Sequence, residues 1–173
     1  QLPYLPDVAR LEAAWRRCYL ADDADSLPRE AIAQKVSSGD PFAVTLHPSV
    51  ELLYSDYPID AIHEMHKAGW PEDRSLDLDS GPEHLMLFRQ SFKVQRWKLI
   101  PEIFAFVSAL KKGQSFETAA EAVIDPDQPE TAEHLQGFLA KMMGKGLLID
   151  IINPSSKKTT PETQTPTTST PKT

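Results

Sequence analysis

His63 and His66 stand three positions apart with Glu64 between them, a spacing that puts two imidazoles on one face of a helix within reach of a shared metal ion. Zinc would need a third and usually a fourth ligand. The spacing also differs from the zinc-protease motif, whose histidines lie four apart. The simpler reading is a solvated helix face. Cys18, the single cysteine, could act as a nucleophile only with a base beside it; no local signature supplies one, and a buried free cysteine packs as a small apolar residue. His47 before Pro48, and His84 at a strand start, read as turn and edge residues. With 7 glycines and no Gly-rich loop, paired-carboxylate motif or Gly-x-Ser-x-Gly elbow, the chain shows no phosphate cradle and no hydrolase centre. The expectation is a non-enzyme with no catalytic residue, no bound metal and no cofactor of its own.

Recognition chemistry is better represented. Lys93, Arg96 and Lys98 surround Trp97 on one predicted strand. Three readings are open: a basic strand touching phosphates, an amphipathic strand with one buried ring and solvated charges, or a sheet edge that accepts a partner strand through its backbone N–H and C=O groups.

The elements that must position these residues follow from periodicity. Val8, Leu11, Trp15, Cys18 and Tyr19 recur at helical spacing over 5–21, with Asp7 early and Arg16 and Arg17 late. A short helix over 29–36 is punctuated by Ser37-Ser38-Gly39-Asp40-Pro41, and β-prone runs occupy 44–46 and 50–54. Pro58 opens a helix over 59–67 that Ala68-Gly69 ends, and the acidic stretch 70–82 reads as a loop. Segments 85–89 and 92–100 form a hairpin with Gln90-Ser91 at its turn. Pro101 starts a helix to 112 with Ile103, Phe104, Val107 and Leu110 on one face, and Ser115 caps another over 116–123. Leu135, Phe138, Leu139 and Met142 face inward from a helix over 131–143, and 147–152 closes as a strand. Two strands, helix, turn-helix, longer helix and closing strand make the order of a winged-helix domain. The expected class is α+β: a winged-helix-like domain, with a small antiparallel sheet and three helices, preceded by an amphipathic helix.

The expected organisation is a helical segment 1–40, a winged-helix-like domain 41–153 and, where the composition changes abruptly, a tail 154–173. The tail is almost entirely Thr, Pro, Ser and Lys and is expected to be disordered, because it holds no residue able to bury surface against the entropy of ordering. No apolar run spans a membrane and no signal-peptide core opens the chain. With a single cysteine these features fit a cytoplasmic protein. Charge is the stronger discriminator. The net charge is −7. Over 101–150, eight carboxylates stand against four lysines, and the third helix begins Glu130-Thr131-Ala132-Glu133, where a DNA reader would place contacts to phosphates and base edges. That acidity disfavours nucleic acid and suits a polypeptide.

Leu2-Pro3-Tyr4-Leu5-Pro6-Asp7-Val8-Ala9-Arg10-Leu11-Glu12, Leu46-His47-Pro48-Ser49-Val50 and Tyr57-Pro58-Ile59-Asp60-Ala61-Ile62 resemble, in order and spacing, the C-terminal region of the HvfC/BufC family. The block from Phe104-Ala105-Phe106-Val107 through Leu110, Gly113 and Ala119-Ala120, then Leu135 to Gly146-Leu147-Leu148, resembles it too, so the likeness covers most of 2–150. Members are often labelled DNA-binding. The resemblance implies instead an MbnC-like, non-catalytic partner of an iron-dependent TIM-barrel enzyme that modifies cysteines of ribosomally made precursor peptides, with iron in that enzyme. It also implies an N-terminal helical domain of which 1–40 is the remnant. The precursor's leader would add as a strand beside Lys93, Val94, Gln95, Arg96, Trp97, Lys98 and Leu99, in a groove against Leu135, Phe138 and Met142. The alternatives are a winged-helix transcriptional regulator contacting phosphate through Lys93, Arg96 and Lys98, and a scaffold that holds the enzyme without touching substrate.

Overall fold

A computed structural model of the chain describes residues 2–65 and 76–152. Its class is α+β, as expected. Helix α1 (Leu5–Leu20) carries a proline in its first turn with Asp7, and Arg17 in its last, so its charges oppose its dipole. Leu11, Ala14 and Cys18 form its buried stripe. Helix α2 (Arg29–Ser38) ends at Gly39, whose φ of 69° is left-handed. Strands β1 (Ala43–Leu46) and β2 (Glu51–Ser55) flank the His47-Pro48 turn, and α3 (Ile59–Met65) follows Pro58. Then come β3 (Glu83–Gln90), β4 (Lys93–Leu99), α4 (Pro101–Lys111), α5 (Phe116–Glu121), α6 (Pro129–Gly144) and β5 (Leu148–Ile152). Ser115 caps α5, its hydroxyl accepting from the Thr118 N–H at 3.1 Å.

The strands divide between two antiparallel sheets. One has the order β2-β3-β4; the other pairs β1 with β5, so the closing strand joins the strand before His47 and not the hairpin. The hairpin turn is Ser91-Phe92, one residue later than expected, with φ of 49° and 61°. Both central residues at positive φ make the left-handed turn that matches strand twist, and this overrides the absence of the usual Asn-Gly. Helix α6 begins at Pro129, ahead of the predicted 131, because a proline at the first position needs no N–H partner.

Strand β3 is the centre of the molecule. Leu85, Met86, Leu87 and Phe88 are consecutive and all fully buried. Such a run, in place of alternation, marks a strand covered on both faces. Leu85 and Leu87 pack with Leu11, Ala14 and Cys18 of α1. Met86 and Phe88 pack with Ile103, Phe106, Val107, Leu135, Phe138 and Met142 of α4 and α6. The helical segment at the start of the chain is thus one cover of the sheet. His66, the end of the predicted helix over 59–67, the first part of the loop 70–82 (70–75) and the tail 154–173 lie outside the described residues.

Candidate peptide-binding groove

Strand β4 is paired on one side only. Its register with β3 runs Gln90↔Lys93, Phe88↔Gln95, Met86↔Trp97 and His84↔Leu99, and among the described residues no strand pairs with its other side. A two-residue turn makes Gln90 and Lys93, which flank it, a pair that exchanges backbone hydrogen bonds. Alternation then directs the N–H and C=O of Lys93, Gln95, Trp97 and Leu99 to β3, and those of Val94, Arg96 and Lys98 outward.

Side chains alternate too, and this separates the predicted site residues into two groups. Val94 packs toward Leu11 and Cys18. Arg96 points to the same face and is held there: its Nε lies 3.0 Å from Asp60 Oδ1, it donates to Glu64 and at 2.9 Å to His63 Nδ1, and it sits 5.4 Å from the centre of the Trp15 ring. Only 14% of the Arg96 side chain is exposed. The Lys98 ammonium donates to Glu83 and lies 3.9 Å from Asp60. Two of the three cations that a phosphate-binding strand would use are therefore neutralised by carboxylates of α3 and β3. Lys93 and Gln95 are exposed. No group of three or more His, Cys, Asp or Glu residues suited to a metal occurs among the described residues.

On the opposite face Trp97 stands edge-on between Phe88 at 4.5 Å and Phe138 at 5.9 Å. Beside it opens a groove of about 610 Å³ lined by Arg96–Leu99 of β4, by Phe138, Lys141 and Gly144 of α6 and by Lys145, the residue that caps its C-terminus. Four successive residues of one strand line it, so its wall is the strand's outer edge. A second recess of about 280 Å³ continues it, between Leu99, Ile100 and Ile103 on one side and Glu133, His134 and Gly137 on the other. Phe138 lies at the base of both. Leu135 and Met142, predicted as lining, are instead 4% and 0% exposed and belong to the core beneath, because α6 turns them toward Met86 and Phe88.

Lys141 and Lys145 were not singled out from the sequence. They follow Phe138 at three and seven positions, the spacing that puts all three on one helical face, and that signal was available. Lys145 Nζ donates to Gln90 Oε1 at 2.9 Å, and among the described residues neither lysine pairs with a carboxylate.

The remaining candidates are structural. Cys18 is wholly buried, and burial pushes its thiol up to about 11, away from the thiolate a nucleophile needs. His47 Nδ1 accepts from the Ser49 N–H at 3.1 Å and lies 2.8 Å from Ser49 Oγ, which itself accepts the Arg89 N–H at 3.0 Å. Because Nδ1 accepts from the Ser49 N–H, it carries no proton of its own; the Ser49 hydroxyl donates to it as well, and the neutral ring has its N–H at Nε2. Burial, and then the Arg89 charge, lower the pKa of His47. His84 lies between Tyr54 and Phe104, its ring tilted against the first and edge-on to the second, with centres 4.9 Å apart in each case. No helix among the described residues is long and apolar enough to cross a membrane. No family model matches the chain, and neither a curated protein nor a solved structure matches it.

Proposed function

We propose that this chain is a non-catalytic recognition subunit, in a winged-helix-like domain, that binds the leader of a precursor peptide as an added strand and presents it to a partner enzyme. The observation that carries this reading is an edge strand whose outer N–H and C=O groups, at Val94, Arg96 and Lys98, border an aromatic-based groove. Main-chain pairing supplies affinity in such a mode, and pockets for alternate side chains supply specificity. The resemblance of 2–150 to the HvfC/BufC family supports the same reading and supplies its finer parts: cytoplasmic peptide maturation, and an iron-dependent TIM-barrel enzyme as the partner that holds the metal.

The test is hydrogen exchange by NMR while a labelled leader segment of a short cysteine-containing precursor peptide is titrated in. Expected is slowed exchange at the outward amides of Val94, Arg96 and Lys98, with the inward amides of Gln95 and Trp97 slow throughout. Binding without that alternation, or no binding to the chain and its enzyme together, defeats strand addition.

A duplex-DNA reading has one observation in its favour, Lys141 and Lys145 at the C-terminal end of α6, which pair with no carboxylate among the described residues. It predicts a gel shift that weakens steeply with salt, because each phosphate contact releases a counterion. The acids at the start of α6 and the ion-paired state of Arg96 and Lys98 weigh against it.

A further inference from the structure

The groove is electrically graded along its length. Its lining pairs Arg96 with the Lys145 end of α6, and Ile100 with the Glu133 end, so α6 runs opposite to β4. The Lys145–Gln90 hydrogen bond fixes the cationic end beside the hairpin. At that end Lys141 and Lys145, one helical turn apart, look across the strand edge, and no carboxylate lines the recess there. The far end carries Glu133 and His134 around Ile100 and Ile103, with Lys98 and Lys141 lining both recesses and Lys145 only the hairpin end. In a protein of net charge −7, two adjacent lysines without acid partners over an apolar base are a local reversal of sign.

Gly137 adds an independent observation. It sits in the middle of α6, where glycine costs about 1 kcal/mol relative to alanine. A Cβ there would meet no protein atom within 4 Å, so nothing within the described chain requires the missing side chain. It lines the recess next to Phe138, and its effect is to keep the groove open between helix and strand.

We infer that the occupant is an acid-bearing extended peptide, with carboxylates at the hairpin end against Lys141 and Lys145 and one bulky apolar side chain over Trp97 and Phe138. This rests on the strand-addition reading and adds to it the chemistry and polarity of the ligand. Extended backbone is set by the strand edge, the apolar anchor by the two rings, and the acids by charge complementarity, which favours correct partners and repels wrong ones.

The probe is a displayed library of random decapeptides selected on the full chain, with three variants in parallel. Enriched sequences are expected to carry two or more Asp or Glu residues toward one end and an aromatic or leucine inside. Lys141→Glu with Lys145→Glu should lower their affinity at least tenfold, about 1.4 kcal/mol, and in a fresh selection should turn the preference to Lys and Arg. Gly137→Leu, which fills the recess with a good helix former, should abolish capture, and Gly137→Ala, the control for folding, should retain it. Enrichment of neutral or basic peptides, or of Thr/Pro sequences like residues 154–173, overturns the inference and leaves strand addition standing. Acidic peptides that still bind Gly137→Leu place the occupant elsewhere and overturn it too. A library that yields no binder sinks both readings.

Discussion

Arg96 joins three elements through one guanidinium: it pairs Asp60 and Glu64 of α3 and lies over the Trp15 ring of α1 from its place on β4. Removing the guanidinium takes a charge partner from desolvated carboxylates, which costs several kcal/mol in full burial and less where solvent reaches Glu64. Arg96→Ala should therefore destabilise by about 2–3 kcal/mol in urea unfolding, while Lys93→Ala, on an exposed side chain, should stay within about 0.5 kcal/mol. Equal and small effects would return Arg96 to the role of a solvated, phosphate-ready cation. His47 makes a pH prediction. Its neutral ring accepts from Ser49, and its folded pKa lies below the ordinary value of about 6.5. The stability it contributes is present above that value and is lost as pH falls through the lower folded one. His47→Asn keeps an acceptor that does not titrate, so its melting temperature should fall less than the wild type's between about pH 7 and pH 5. Parallel profiles would remove His47 from the acid response.

The hairpin is where local and tertiary preferences disagree most. A side chain at left-handed φ costs on the order of 1 kcal/mol, and Ser91 and Phe92 both accept it, with Phe92 81% exposed at the tip. Ser91→Asn with Phe92→Gly, the pair this turn prefers, should raise the melting temperature by roughly 2–6 °C. An unchanged or lower value would mean that Phe92 has packing worth more than its backbone strain. The turn also explains why register was predicted one residue early: nothing in Gln90-Ser91-Phe92-Lys93 has turn chemistry, so only the pairing of Met86 with Trp97 and Phe88 with Gln95 decides it. Elements with strong punctuation were readable from the chain alone. Pro101, Ser115 and the 135/138/142 spacing lead to α4, α5 and α6 within a residue or two. The groove was half readable. Trp97 and Phe138 follow from periodicity, whereas the inward turn of Leu135 and Met142 and the capture of Arg96 by α3 depend on partners 32 or more residues away.

For the whole molecule, pattern predicts that there is a sheet but not how many. The β1–β5 pairing links residues over a hundred positions apart, and no local signal encodes so distant a partner. Two apolar clusters meet at β3, one closed by α1 from the start of the chain and one by α4 and α6 near its end. Cooperative folding requires both covers. That arrangement has a consequence for biosynthesis. When the ribosome has delivered β3, α1 is already available to shield Leu85 and Leu87, but the side bearing Met86 and Phe88 must wait for Met142 to emerge. At roughly 5–20 residues per second that wait lasts several seconds, a window in which the nascent polypeptide offers a bare greasy ribbon to whatever chaperone meets it first.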